Sequence, residues 1–207
     1  MDRPSGQATR RRLLDAAVAL IAEVGWGRVT TRAVAERAGL PHGAVSYHFP
    51  GKQALLSEAA MELVERSFPL DELRELDDLA GVVSQMREWA SGSAPVDQMG
   101  RAVLWEALRE AGRDPLVRAR SAGLLTRYRR VLADLIGAAQ QRGQAPAGVD
   151  PDALATLLAA AADGLLMHAM LDPDTDFVGA VEALGVLLLP AGSTGGEPGA
   201  GNAGGRR

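Results

Sequence analysis

Between Val29 and Lys52 the chain reads VTTRAVAERAGLPHGAVSYHFPGK, with polar groups gathered at two places where a helix can begin. Thr30, Thr31 and Arg32 stand at the first. Pro41, His42, Gly43 and Ala44 stand at the second, followed within a turn by Ser46, Tyr47 and His48. Hydroxyls and a cation at a helix start hold anions, because the first turn presents unpaired N–H donors and the positive end of the helix dipole. An imidazole, a guanidinium and small side chains that permit close approach suit base edges in a major groove. A duplex reader needs both sets, since phosphate contacts fix register and base-edge contacts read sequence.

On this reading Thr30 caps a helix and leaves N–H groups for a phosphate, and Thr31 adds its hydroxyl. Arg32 reaches a guanine edge or a second phosphate. His42 donates or accepts at a base edge, Gly43 lets the backbone approach, and Ala44 suits a thymine methyl. Tyr47 and His48 meet backbone or flanking bases. Lys52, at the next helix start, holds another phosphate. Arg10, Arg11 and Arg12 read as a basic N-terminal arm. Taken singly, each has an ordinary structural use: threonine as a cap, a basic triplet as a solvated face, His48 beside Phe49 as a core histidine. Their joint spacing over 24 residues carries the nucleic-acid reading.

These residues need helices to position them. Apolar residues Leu13, Leu14, Ala17, Val18, Leu20, Ile21 and Val24 follow helical spacing over 9–24 and stop at Gly25. Trp26 is placed to plug the gap before the next helix, which Thr30 caps and Gly39 ends in left-handed geometry. Pro41 is placed in the first turn of the following helix, where its missing N–H costs nothing. Helix, tight glycine turn, helix, with Ala35 and Ala38 at the crossing, is a helix-turn-helix pattern. Further helices are expected at 52–68, 71–91, 96–112, 115–142, 151–171 and 176–189, about nine in all. Ala153–Leu171 is apolar on almost every face and 177–189 nearly so, which calls for cover from a partner subunit. The Gly-rich 191–207 is expected to be disordered.

Composition agrees. Hydrophobic residues make up 47% of the chain and aromatics only 4%, an Ala- and Leu-rich balance that favours helix over sheet. Residues 1–56 carry a net +4 and the remainder −8, as a basic reader joined to an acidic body would. The sequence contains no cysteine, which excludes a thiol nucleophile and thiolate metal sites. Its three histidines lie at 42, 48 and 168, and no phosphate loop or serine-elbow motif is present. An enzyme is therefore the weaker reading; no cofactor and no metal are implied. No secretory leader or membrane span is read, so a soluble cytoplasmic protein is expected.

Val29–Leu56, with the preceding helix and its EVGW end, resembles the tetracycline-repressor (TetR) family of bacterial regulators. The shared features are Thr30, Ala38-Gly39, Gly43, Tyr47-His48-Phe49 and Lys52-Gln53-Ala54-Leu55. The stretch 150–173 resembles the family's penultimate helix more weakly. Where the family most often has a phosphate-gripping tyrosine, this chain has Ser46, and Tyr47 is the neighbour placed to compensate.

The resemblance implies an all-α protein: a three-helix DNA-binding domain over 1–51, an effector-binding and dimerisation domain over 52–190, and a tail over 191–207. It implies a homodimer through 151–189 on a palindromic DNA operator, with repression the family's usual mode and release by a small-molecule effector. Two reading heads must then sit about 34–36 Å apart. Candidate effector contacts are Met86, Trp89, Trp105, Leu108, Leu124, Leu125, Tyr128 and Met167, residue types that also fill ordinary cores. Asp163 and His168 interrupt an apolar helix, pointing about 140° apart on ideal geometry. The competing reading is a DNA-binding protein of the same fold that acts constitutively or under a protein partner, without a small-molecule pocket.

Overall fold

A computed structural model of the chain describes residues 6–68, 70–93, 98–172 and 174–189; the expected disordered tail at 191–207 lies outside the described residues. In chain order the helices are α1 (Gly6–Val24), α2 (Thr31–Arg37), α3 (Gly43–His48), α4 (Lys52–Ser67), α5 (Leu70–Arg74), α6 (Leu79–Glu88), α7 (Gln98–Ala111), α8 (Pro115–Gln141), α9 (Pro151–Leu171) and α10 (Phe177–Leu188). A 3-10 turn spans Trp26–Arg28 and a π-turn Trp89–Ser93. Among the described residues there is no strand, so the expected all-α architecture holds.

Beyond the earlier start of α1 at Gly6, two boundaries differ from the sequence reading. The expected 71–91 helix is in two pieces, because the Asp78 carboxylate accepts the Gly81 N–H at 2.8 Å and caps a fresh helix. The second helix of the motif starts at Gly43, not at Pro41. Pro41 stays outside it, with its carbonyl accepting the Ala44 N–H at 2.9 Å.

The described residues fall into two compact units, those within Met1–Leu70 and Ala94–Tyr128, and those within Asp71–Ser93 and Arg129–Arg207. One hydrophobic core runs through the first. It joins Leu13, Ala17 and Ile21 of α1, Val34 and Ala35 of α2, and Val45 of α3 to Leu55, Leu56 and Met61 of α4. Val103 and Ala107 of α7 and Val117 and Leu124 of α8 belong to the same core. Burying each of the valine, leucine, isoleucine and methionine side chains among them contributes about 1.5–3 kcal/mol. Trp26 is buried in this core, the plug its position suggests.

A row of carboxylates faces the same unit. The Trp26 backbone N–H donates to Glu106 at 2.8 Å, Gln53 donates to Glu110 at 2.9 Å and to Asp114 at 3.0 Å, and the buried Ser57 hydroxyl donates to Asp114 at 3.1 Å. The Gln53 bond holds the Asp114 carboxyl below its usual range, with help from the Leu116 and Val117 N–H groups and Ser57, against partial desolvation. A carboxyl depressed in the folded state stabilises it above the ordinary value near about 3.9 and loses that contribution as pH falls through the depressed one. Melting midpoints followed from neutral pH into strong acid should therefore fall less steeply in Asp114→Asn than in the parent; equal acid limbs would refute the assignment.

In the second unit α6 packs on α10. Leu79, Val82, Val83 and Met86 are buried, as are Val181, Gly185 and Leu188. Gly185 permits this approach, since a Cβ there would lie 3.0 Å from Val83 Cγ1. Leu154, Ala155, Leu158 and Ala159 bury one side of α9. The other side stays open: Leu157 is 62% and Leu171 77% exposed, and on α10 Val186 and Leu187 are 71% and 77% exposed. Asp163 and His168 lie on exposed positions of α9. Water reaches Asp163, yet the apolar atoms around it desolvate the carboxylate and push its pKa above the ordinary value.

Candidate nucleic-acid interface

The geometry of the motif follows from its caps. Thr30 is extended, at φ −121° and ψ 151°, and its hydroxyl accepts the Ala33 N–H at 3.1 Å, the capping role its position suggests. At the far end of α2, Leu40 N–H donates to Ala35 O at 2.9 Å and Gly39 N–H to Glu36 O at 3.0 Å. With Gly39 at φ +62°, this is a Schellman stop, which a side chain with a Cβ resists. Arg12 seals it from behind, donating to Ala38 O at 2.5 Å and Gly39 O at 3.4 Å.

On α3, Val45 is buried and Phe49 follows it into the core, while Ala44 and His48 are half-buried. Pro41, His42, Gly43, Ser46 and Tyr47 are exposed, Tyr47 by 84%. The helix is thus anchored along one stripe and open along the other, from its leading end to Tyr47, whose ring meets His48 edge-on at 4.9 Å. Arg32 is exposed near the start of α2 and Thr31 half-buried. Lys52 Nζ donates to Gly27 O at 3.0 Å, bracing the 3-10 turn with two further N–H donors in hand.

The arginine triplet is a correction. Helix α1 already starts at Gly6, so Arg10, Arg11 and Arg12 are turned toward different neighbours and do not form an arm. Arg10 pairs with Glu58 and lies 4.9 Å over the Phe49 ring; Arg11 pairs with Glu62 and with Asp15 at 3.0 Å; Arg12 is on the turn carbonyls. Their work is to hold α1 to α4 and to the turn.

The residues suggested for an effector fall in both units. In the first, Trp105 and Leu108 share an exposed face of α7, Leu125 is half-buried, and Leu124 and Tyr128 are buried, Tyr128 edge-on to Phe68 at 5.5 Å. In the second, Met86 is buried, Trp89 half-buried and Met167 36% exposed. A separate groove of about 400 Å³ lies between α6 and α10, lined by Ala80, Val83, Arg87, Glu182, Gly185, Val186 and Leu189. None of the suggested residues lines it. The bonds by which Gln53 and Glu106 tie the Trp26 turn to α4 and α7 also escaped the sequence reading; their only sequence signal is a polar residue beside an apolar stripe.

A helix held outward behind a glycine turn, its neighbour capped by Thr30, defines the class of helix-turn-helix regulators. Residues 13–59 match the profile of bacterial regulatory proteins of the tetR family, and residues 84–185 match that of the BetI-type transcriptional repressor C-terminal domain. The chain belongs to the TetR family of transcriptional regulators. The HTH-type transcriptional repressor Rv1474c of Mycobacterium tuberculosis is 30% identical over 108 residues, 52% of this chain and 54% of that protein, so the match spans about half of the relative. Among solved structures, the SmeT–triclosan complex is 27% identical with a TM-score of 0.72, covering 90% of this chain and 94% of that one. GusR of Salmonella enterica is 25% identical with a TM-score of 0.71, covering 91% and 98%.

Proposed function

We propose that the protein is a cytoplasmic repressor that binds a palindromic operator as a homodimer and is released by a small-molecule effector. Residues 1–51 read DNA, 52–190 take the effector and dimerise. Thr30, Thr31, Ser46 and Lys52 hold backbone, Arg32 takes a guanine edge or a further phosphate, Tyr47 and His48 meet backbone or flanking bases, and Pro41, His42, Gly43 and Ala44 bring the leading end of α3 to the bases. The observation that carries this reading is the exposure of Pro41 and His42 just before α3, and of Gly43, Ser46 and Tyr47 on it, above a buried Val45 and Phe49. Dimerisation is supported by the apolar faces left open on α9 and α10. Residues 151–169 are long and apolar enough to cross a membrane by length and composition, and a partner subunit's cover is the use assigned to them. A small-molecule effector is supported by the likeness to SmeT, solved with triclosan. The second reading, control without an effector, is favoured by the burial of Met86, Leu124 and Tyr128, which fill cores.

Selecting bound duplexes from a random pool should return an inverted repeat. On that repeat Lys52→Ala should weaken binding to all sequences alike, whereas His42→Ala should change preference at one position by about 1–3 kcal/mol. Identical behaviour of the two variants would overturn the division into phosphate and base contacts.

A further inference from the structure

The polar row between the Trp26 turn and α4 on one side and α7 on the other has an unusual division of labour. Every acceptor on the α7–α8 side is a carboxylate: Glu106, Glu110 and Asp114, four residues apart. Every group meeting them from the other side is a donor: the Trp26 N–H, the Gln53 amide and the Ser57 hydroxyl. Gln53 alone also closes the circuit back to the head, its Oε1 accepting the Trp26 indole N–H at 3.3 Å while its amide nitrogen serves both Glu110 and Asp114. The side chain has used both amide hydrogens and its oxygen.

Location decides what this achieves. Gln53 is exposed, whereas Leu55, Leu56, Val103 and Ala107 behind it are buried to 2% exposure or less. The core supplies adhesion between α4 and α7, and apolar contact is non-directional. Hydrogen bonds are directional and weaken steeply away from alignment. Gln53 is therefore placed to fix the angle of the head, with water able to replace its bonds when they are lost.

Resting on the proposed dimeric, DNA-reading function, we infer that Gln53 is a positioning residue that holds the Trp26 turn against the Glu110–Asp114 carboxylates and so sets the operator half-site spacing the dimer accepts. Each base pair inserted between half-sites moves one of them by about 3.4 Å along the axis and about 35° around it. A head held at a fixed angle discriminates against such a shift; a loosened head tolerates it. Gln53→Glu is the sharpest variant, because it keeps shape and the indole acceptor but sets a third carboxylate against two.

The experiment compares full-length parent and variants on three kinds of duplex: the pool-selected operator, the same operator with its spacer changed by one base pair either way, and a single half-site. For Gln53→Glu, half-site affinity should stay within about twofold of the parent. Affinity for the selected operator should fall about tenfold, and the spacer penalty should shrink, in line with the loss of part of the two-site advantage. Gln53→Ala, which removes the bonds without adding charge, should shrink the penalty as well. Adding Glu110→Gln to Gln53→Glu should restore part of it, since the new amide donates to the new carboxylate. Unchanged spacer discrimination in both single variants, with normal operator binding by the parent, overturns this inference alone. A parent that binds no selected duplex overturns the DNA-reading function and the inference with it.

Discussion

Replacing Leu157 and Leu187 together by glutamate is expected to yield a monomer whose affinity for a two-site operator is about 10²–10⁴-fold lower, with single half-site binding unchanged. Both side chains stand well into solvent, 62% and 77% exposed, on helices whose opposite faces are buried. Leu171 and Val186 extend the same open apolar character at 77% and 71%. Monomers rarely display patches of this kind without a use. A twofold interface uses the same patch on both subunits, so each substitution acts twice. Burial of a leucine contributes about 1.5–3 kcal/mol, and a glutamate in its place must be desolvated or expelled. Sedimentation velocity at micromolar concentration gives the oligomeric state, and titration of one-site and two-site duplexes gives the affinity ratio. A dimer persisting in the double variant would place the interface elsewhere.

The second large effect is that of salt. Operator affinity should fall about 10³-fold between about 50 and 200 mM monovalent salt, a log–log slope near about −5. The magnitude comes from the reading head's cations. Arg10, Arg11 and Arg37 are in ion pairs with Glu58, Glu62 and Glu23, and Arg12 is held on the turn carbonyls. Among the described residues of the head, Arg28 and Lys52 each spend one N–H on a backbone carbonyl (Val24 O and Gly27 O) and keep others for phosphate, and with the exposed Arg32 they make about six cations in a dimer, each displacing close to one counterion. The slope therefore belongs at the shallow end of the range for specific readers, despite the basic composition of residues 1–56. Arg32→Ala should make it shallower by about two units per dimer if the side chain meets phosphate, one per contact. A flat response would remove the phosphate contacts on which the DNA reading depends.

The helix-turn-helix could be read from sequence because its determinants are local. Thr30 caps within three residues, Gly39 supplies a left-handed stop that few other residues adopt, and Ala35 and Ala38 leave room at the crossing. The open face of α9 was foreshadowed by a helix with apolar residues on all sides. What failed was non-local. The partners of Arg10 and Arg11 lie 48 and 51 residues away, and no spacing rule connects them. The 71–91 segment carried a continuous helical pattern, and a single Asp78 cap broke it. The suggested effector residues also divide by burial, Leu124 and Tyr128 buried and Trp105 exposed, a distinction that residue type at helical spacing does not contain. Glu106, Glu110 and Asp114 were visible as acids four apart, but their meaning depends on donors brought in by tertiary structure.

The single core that unites α1–α4 with Val103, Ala107, Val117 and Leu124 bears on protein engineering. A chimaera made by cutting after Gly51 would strip Leu55, Leu56 and Met61 of the partners they have here and leave Trp26 facing a foreign surface. Transplanting this recognition specificity onto another sensor would thus require carrying the α7 and early α8 sequence along with it, so that the exchangeable cassette is discontinuous in the gene.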